Sequence, residues 1–524
     1  MSVSSTSPKL KVAIVGGGIG GLTAALALAK YPDIDVTIYE AAAVFSEVGA
    51  GVGVWPRIWK TLAKLGLAED MAKATHLEPK SGKVDTFLFR KSDQEEGHQY
   101  YKLETDGSFL TYHRPDMQKV LVSHLPPSVH IHYKKRLSSY TQTTPTFLNT
   151  QSTPSAPSPS STTPSVHLTF EDGTTATTDL LIGCDGVKSV VRRCLLHEQA
   201  ARALEYGKPG EADALLSAIE PRWTGIVAYR ALIPVERLKA YKETEKGKSV
   251  RVPERDSLPT MYQGQHINVV VYPISVGKVI NVGAFHSRPD LAGTKFPGPW
   301  VTRVTETDLI KAHEGWEPEV RAILDCIENP LRWAIHASVP LDDWVFGNVC
   351  LLGDAAHAMS PQQASGGGQA IEDAYLLATL LGHHLTTKST LARALSIYDS
   401  IRRPVANEVA RRSLVNGSLF GLQLPDVQSS PSPSSSSSSV PSVLGLKPSP
   451  TGPTTPIDFS LPVDFSKIVD FTKKENQGRL EENGRAIKEN WRWTWETSVE
   501  GDVERAVSEL EGWEEVVGEV RARL

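Results

Sequence analysis

The chain has 524 residues, a formal net charge of −5 and 40% hydrophobic residues. That length suits two or three domains, each large enough to bury its own core, and the mildly acidic balance leaves no electrostatic footprint for nucleic acid. The four cysteines form no C-x-x-C pair and sit near no histidine at zinc spacing, so they read as reduced thiols in a cytoplasmic protein, with no metal site.

The first elements read strand, turn, helix, strand. Lys11-Val12-Ala13-Ile14-Val15 is a short buried strand and Gly16 to Gly21 a turn. Leu22 to Lys30, rich in Ala and Leu, is a helix, and Val36 to Tyr39 is a second strand ending at Glu40. This is one βαβ unit, which implies a parallel sheet covered by helices. The same glycines break the N-terminal apolar stretch, which also lacks the basic start of a signal peptide. No apolar run reaches ~18 residues, so no membrane span is expected.

Within the turn, Gly16-x-Gly18-x-x-Gly21 has a distinct job for each glycine. Gly16 permits the tight turn, Gly18 lets backbone N–H groups approach a pyrophosphate, and Gly21 lets helix and strand pack closely. Glu40, ~20 residues on, suits the hydroxyls of an adenosine ribose. NAD and FAD both satisfy this pattern.

Two stretches are low in complexity. Thr141 to Ser165 is nearly all Thr, Ser and Pro, and Ser429 to Ser442 is mostly Ser and Pro. Neither buries enough apolar surface to offset its ordering entropy, so both read as disordered insertions. Between them, Thr224 to His286 alternates β-rich runs with turns and predicts a second, more antiparallel sheet. From Glu475 to Leu524 the pattern is charged and helical, with Trp491, Trp493, Trp495 and Trp513 either packing on the main body or binding a partner. The final Ala522-Arg523-Leu524 is a loose variant of a peroxisomal address, an alternative to the cytoplasm.

Two later segments favour FAD over NAD. Leu180-Leu181-Ile182-Gly183-Cys184-Asp185-Gly186 is a buried strand running into an Asp-Gly turn. Leu351-Leu352-Gly353-Asp354 is another, leading through Pro361 and Gly366-Gly367-Gly368 into a helix. Together they read as a second phosphate-and-sugar site, with Asp354 accepting from ribityl hydroxyls and the helix start facing polar flavin atoms.

With these three motifs in this order, the sequence resembles the class A flavoprotein monooxygenases, the single-component aromatic hydroxylases. His113-Arg114-Pro115-Asp116 and Gly49-Ala50-Gly51-Val52-Gly53 resemble further family segments, as does Tyr398 to Pro404. The resemblance covers roughly residues 10 to 412. Ala228 to Pro234 and Val271-Tyr272-Pro273 resemble salicylate hydroxylase-like fungal enzymes, and Val52 to Arg57 resembles versions in 4-hydroxybenzoate 1-hydroxylases. One departure is Ala364, which stands where a glycine is common.

The resemblance implies an α/β fold: a Rossmann-like FAD-binding domain, a second mixed or antiparallel-sheet substrate domain of the p-hydroxybenzoate hydroxylase type, and a helical C-terminal tail. The expected boundaries are 1–77, 108–200 and 345–412 for the FAD-binding domain, with a disordered insertion at 141–165. The substrate domain takes 78–107 and 201–344, a linker 413–474, and the tail 475–524. FAD contacts are implied for Glu40, Gly53, Arg114, Asp354 and Gly367, and Asp185-Gly186 would serve both the FAD pyrophosphate region and NAD(P)H.

The implied reaction uses NADH or NADPH and O2 to hydroxylate a phenolic acid, with decarboxylation where the attacked carbon bears the carboxylate. Arg230 is the candidate anchor for the substrate anion, because its guanidinium pairs bidentately with a carboxylate. Tyr272 is the candidate hydrogen-bond donor to the phenol oxygen and His266 the candidate base. His357 reads as scaffold for the flavin loop, and Trp55 as either active-site lining or packing. The alternatives are an FAD-dependent epoxidase or reductase on a non-aromatic substrate, and a flavin-binding regulatory protein. No nucleic-acid partner and no membrane span are expected, and a homodimer is a candidate assembly.

Overall fold

The computed structural model describes residues 7–44, 51–75, 77–143, 165–425 and 468–523, with side chains to 512. The bodies of both low-complexity stretches, and Gly49-Ala50, lie outside the described residues.

Two sheets organise the chain. The first has six strands in the order Val345–Phe346, Val349–Leu351, Leu180–Gly183, Leu10–Val15, Ile34–Tyr39 and His130–His132. All neighbours run parallel except the two at the Val345 edge. Its central strands are apolar on both faces because helices cover both. The helix Ile19–Leu28 is buried along almost its whole length, against the sheet and the helix Gly366–Gly382. Gly16 has φ +105°, and a Cβ on Gly21 would lie 2.0 Å from the Gly16 carbonyl oxygen. The turn therefore needs glycine at both positions.

The second sheet has eight strands, in the order Val301–Arg303, Leu331–Ala337, Arg222–Pro234, Val279–Ser287, Ile267–Ile274, Thr260–Gly264, Lys83–Lys91 and His98–Asp106. It is antiparallel apart from the Thr260/Lys83 pair. This is the mixed substrate sheet of the expected fold.

Two expected boundaries move. Thr141 to Thr143 and Ser165 belong to paired strands, Leu137–Thr143 and Ser165–Phe170, so the insertion begins and ends as the tip of a hairpin. The helix Leu391–Phe420 runs straight through the boundary expected at 412.

The C-terminal region folds back as three helices, Leu480–Trp491, Trp493–Glu496 and Glu500–Arg523. Trp491, Trp493 and Trp495 are all buried against the body. Trp491 packs on Trp55 and Phe87, at ring-centroid distances of 5.1 and 5.3 Å. The Asn490 side chain donates to the Arg412 carbonyl and to Asn416 Oδ1, and Trp493 Nε1 donates to Gln363 Oε1.

The far face of the second sheet carries a pH-sensitive contact. His286 and His313 lie with ring centroids 5.4 Å apart, and the Nε2 atom of each is buried without a partner. Burial pushes His286 down to about 4, helped by His313, and lowers His313 as well. Both stay neutral in the native protein and gain protons on unfolding below pH ~6.5. Stability is therefore full above that pH and is lost as pH falls towards 4. A lower urea midpoint at pH 5 than at pH 7 is expected, and His313→Leu should flatten the slope; an identical slope in the variant would count against this origin.

Candidate active site

The main cavity, of about 450 Å³, opens at the C-terminal ends of the parallel strands and extends onto one face of the eight-stranded sheet. Ligands of open α/β sheets bind at such strand ends.

Its first half is built from backbone. Gly18, Gly53, Gly186, Gly353, Gly366 and Gly367 line it. The N-terminus of the helix Ile19–Leu28 points its free N–H groups there. Arg114 starts the helix Arg114–Ser123 and reaches towards Gly18, where a Cβ would sit 3.8 Å from its Nη2. Its guanidinium has no partner among the described residues. Glu40 braces the turn: its two carboxylate oxygens accept from the N–H groups of Gly17 and Ala42, at 2.7 Å each. Asp354 lines the cavity, and its carboxylate also has no partner among the described residues. A cation beside a helix N-terminus fits a diphosphate, a free carboxylate fits sugar-chain hydroxyls, and a side-chain-free wall fits a flat ring. The donor set therefore fits FAD.

The second half is built from side chains. On one face of the sheet, Arg230, Gly283, Val270 and Met261 lie in register across four strands. Ala228, Phe285, Asn268 and Gln263 form the next row on one side, and Leu232, Asn281 and Tyr272 the next on the other. Arg230, Asn268, Asn281 and Tyr272 all line the cavity. Phe87, Phe109, Trp333, Phe420 and Trp491 make its apolar walls. Arg230 lies near the Trp333 ring, 5.9 Å from its centroid, and its Nε is buried without an acceptor. Burial lowers Arg230 below arginine's usual range, with Tyr272 opposing, yet a guanidinium stays charged at neutral pH. Burial raises the Tyr272 phenol and Arg230 pulls it back, so Tyr272 remains a neutral donor. Its hydroxyl overhangs Gly51, leaving no room for a side chain there.

Several expected roles change. His266 is corrected: it sits in the hairpin turn between strands with φ +61°, its N–H bonded to the Gly421 carbonyl, and it does not line the cavity. Asp185 turns inward, its carboxylate accepting from Ser189 and from the N–H groups of Val190 and Val191. It caps the helix that follows, and Gly186 is what faces the cavity. His357 is buried on Asp373 at 2.7 Å, and Trp55 is packed with its Nε1 on the Gln363 carbonyl, so neither lines the site. Ala364 lines it with φ +49°, the left-handed region that explains why glycine is common there.

An FAD binding domain family matches residues 9–222 and 303–413. Salicylate hydroxylase from Pseudomonas putida is 33% identical over 441 residues, 81% of this chain and 88% of that protein. The chain belongs to the class A FAD-dependent aromatic monooxygenases. The 6-methylsalicylate 1-monooxygenase atA of Aspergillus terreus is 33% identical over 403 residues, covering 76% of this chain and 80% of its own. A salicylate hydroxylase solved as a substrate complex superposes with a TM-score of 0.67 at 26% identity, over 96% of this chain and 98% of that one. This monooxygenase is thus an FAD enzyme, and its cavity has a backbone-built half and a side-chain-built chamber. Among its described residues, no helix is long and apolar enough to cross a membrane.

The chamber contains residues that the motifs did not mark. Asn268 had a signal: an amide inside the apolar strand Ile267–Ile274, two and four residues from Val270 and Tyr272 and so on their face. Phe420 and Trp491 had none, since their place in the wall depends on packing across hundreds of residues.

Proposed function

We propose that the chain is an NAD(P)H-dependent monooxygenase of a phenolic aromatic acid of the hydroxybenzoate type, acting at the carboxylate-bearing carbon. The observation that carries this reading is Arg230, a cavity-lining guanidinium without a counter-ion among the described residues, set among aromatic walls beside the glycine-lined half of the cavity. A charge in that setting calls for an anionic partner, and the aromatic walls call for a ring. The names of the salicylate and 6-methylsalicylate relatives agree with such a ligand.

Bound FAD supplies hydride acceptance from NAD(P)H and activation of O2, the chemistry the side chains lack. Glu40, Arg114, Asp354 and the glycine walls at Gly53 and Gly367 would hold it. Arg230 holds the substrate carboxylate and fixes the ring's orientation. Tyr272 donates its phenolic hydrogen to the substrate's phenol oxygen, favouring phenolate character and hence attack by the ring carbon. Phe109, Trp333 and Trp491 exclude water, which strengthens both polar contacts. One oxygen atom enters the ring and the other leaves as water with two protons; loss of carbon dioxide restores aromaticity.

The purified protein should be yellow and should oxidise NADH or NADPH faster when salicylate or 4-hydroxybenzoate is added, with release of carbon dioxide. Stimulation without carbon dioxide would move the hydroxylation to another carbon. Bound FAD with no response to any phenolic acid would overturn the reading.

A further inference from the structure

Asn268 is a buried amide on the chamber's sheet face that the surrounding protein leaves unmet. It is 4% exposed and lines the cavity, its Oδ1 is buried without a donor, and its Nδ2 has no partner among the described residues. Its neighbour in the same row, Gln263, shows the contrast: its Nε2 donates to the carbonyls of Leu419 and Phe420, and its Oε1 accepts from the Tyr100 hydroxyl. Leaving a buried amide unmet costs about 1–3 kcal/mol, and an apolar side chain of the same shape would avoid that cost. Its neighbours on that face, Phe285 across the strand and Val270 two residues on, are apolar and offer the amide nothing.

Asn268 also stands apart from the anion anchor. Arg230 is two strands and two residues away on the same face. At ~4.8 Å per strand and ~3.4 Å per residue their Cα atoms are about 12 Å apart, and both line the same cavity. Tyr272 lies on the opposite side of the Arg230 row, so it cannot serve the same end of the ring.

We infer that Asn268 determines specificity by hydrogen-bonding a second polar substituent of the aromatic acid, at the end of the ring away from the group held by Arg230. This rests on the proposed function above. A carboxamide offers a donor at one atom and an acceptor at the other, so a ring hydroxyl, which both donates and accepts, matches it in either orientation.

The test compares Asn268→Leu with the wild-type holoenzyme on matched acids: salicylate against its 2,4-, 2,5- and 2,6-dihydroxy analogues. Binding is read from the perturbation of flavin absorbance, and turnover from NAD(P)H oxidation. The wild type should prefer one dihydroxy acid, and the leucine variant should bind that acid about 10- to 100-fold more weakly. Salicylate itself should change by less than about threefold, and the variant should keep its FAD, with a urea midpoint no lower than the wild type's. Equal weakening of both acids would make Asn268 structural and overturn the inference, as would a wild type with no preference for any second hydroxyl. Failure of every aromatic acid to bind the wild type would instead overturn the proposed function, and the inference with it.

Discussion

Arg230→Met is expected to weaken binding of the aromatic acid by about 100-fold or more while the flavin stays bound. The substrate chamber contains no other unpaired cation at its floor, so the anion would enter a low-dielectric space with nothing to balance it among the described residues. Removing one member of a buried, hydrogen-bonded charge pair costs about 2–5 kcal/mol. Methionine keeps the length and apolar contact of the stem, so the Trp333 wall is retained. Arg230→Lys restores a charge but not the two-pronged geometry, and should recover only part of the loss. Titration of the flavin absorbance with substrate measures this directly. Loss of FAD from the methionine variant, or undiminished affinity, would remove Arg230 from the anchor role.

Arg402→Met is expected to destabilise the native protein by about 3–5 kcal/mol and to release FAD. Arg402 is fully buried and bonds Asp373 through Nε and Glu372 through Nη1, at 2.8 and 3.0 Å. Arg57, also buried, takes the other side of Glu372 and reaches Asp502 in the last helix. Burial alone would raise Asp373; His357 and Arg402 beside it reverse that and hold it below the usual carboxylate range. Without Arg402, two adjacent carboxylates share one helix turn and lose the one basic partner that touches both. The flavin feels this because Asp373 Oδ2 accepts the Gly353 N–H at 3.1 Å, which sets the turn that presents Asp354. Urea denaturation and FAD content report the two effects, and a variant with the wild-type midpoint would refute the account.

The FAD half of the site was legible because its geometry is local. Gly16, Gly18, Gly21 and Glu40 act within one βαβ unit, and Gly353-Asp354 within one turn. Arg230 and Tyr272 were legible because strands alternate and both stand out in apolar runs. His266 was misread since chain proximity to those strands says nothing about a turn residue's direction. The ion cluster was hidden for another reason: Glu372, Asp373 and Arg402 sit in helical sequence, where charges ordinarily mark a solvated face. Only the tertiary packing of four helices, Pro56–Lys64, Gly366–Gly382, Leu391–Phe420 and Glu500–Arg523, turns that face inward.

The return of the tail to the body has a consequence for how this protein is made. Arg57 donates to Thr497 across 440 residues of chain, and Trp55 packs on both Trp491 and Trp495. At ~5–20 residues per second of synthesis, residue 57 waits roughly 20 to 90 seconds for its partner. Throughout that interval the Trp55, Phe87 and Phe109 surface stands bare on the nascent chain. Ribosome-bound intermediates of this enzyme are therefore natural clients for holding chaperones, and premature termination anywhere before Trp491 yields an aggregation-prone product instead of a smaller enzyme.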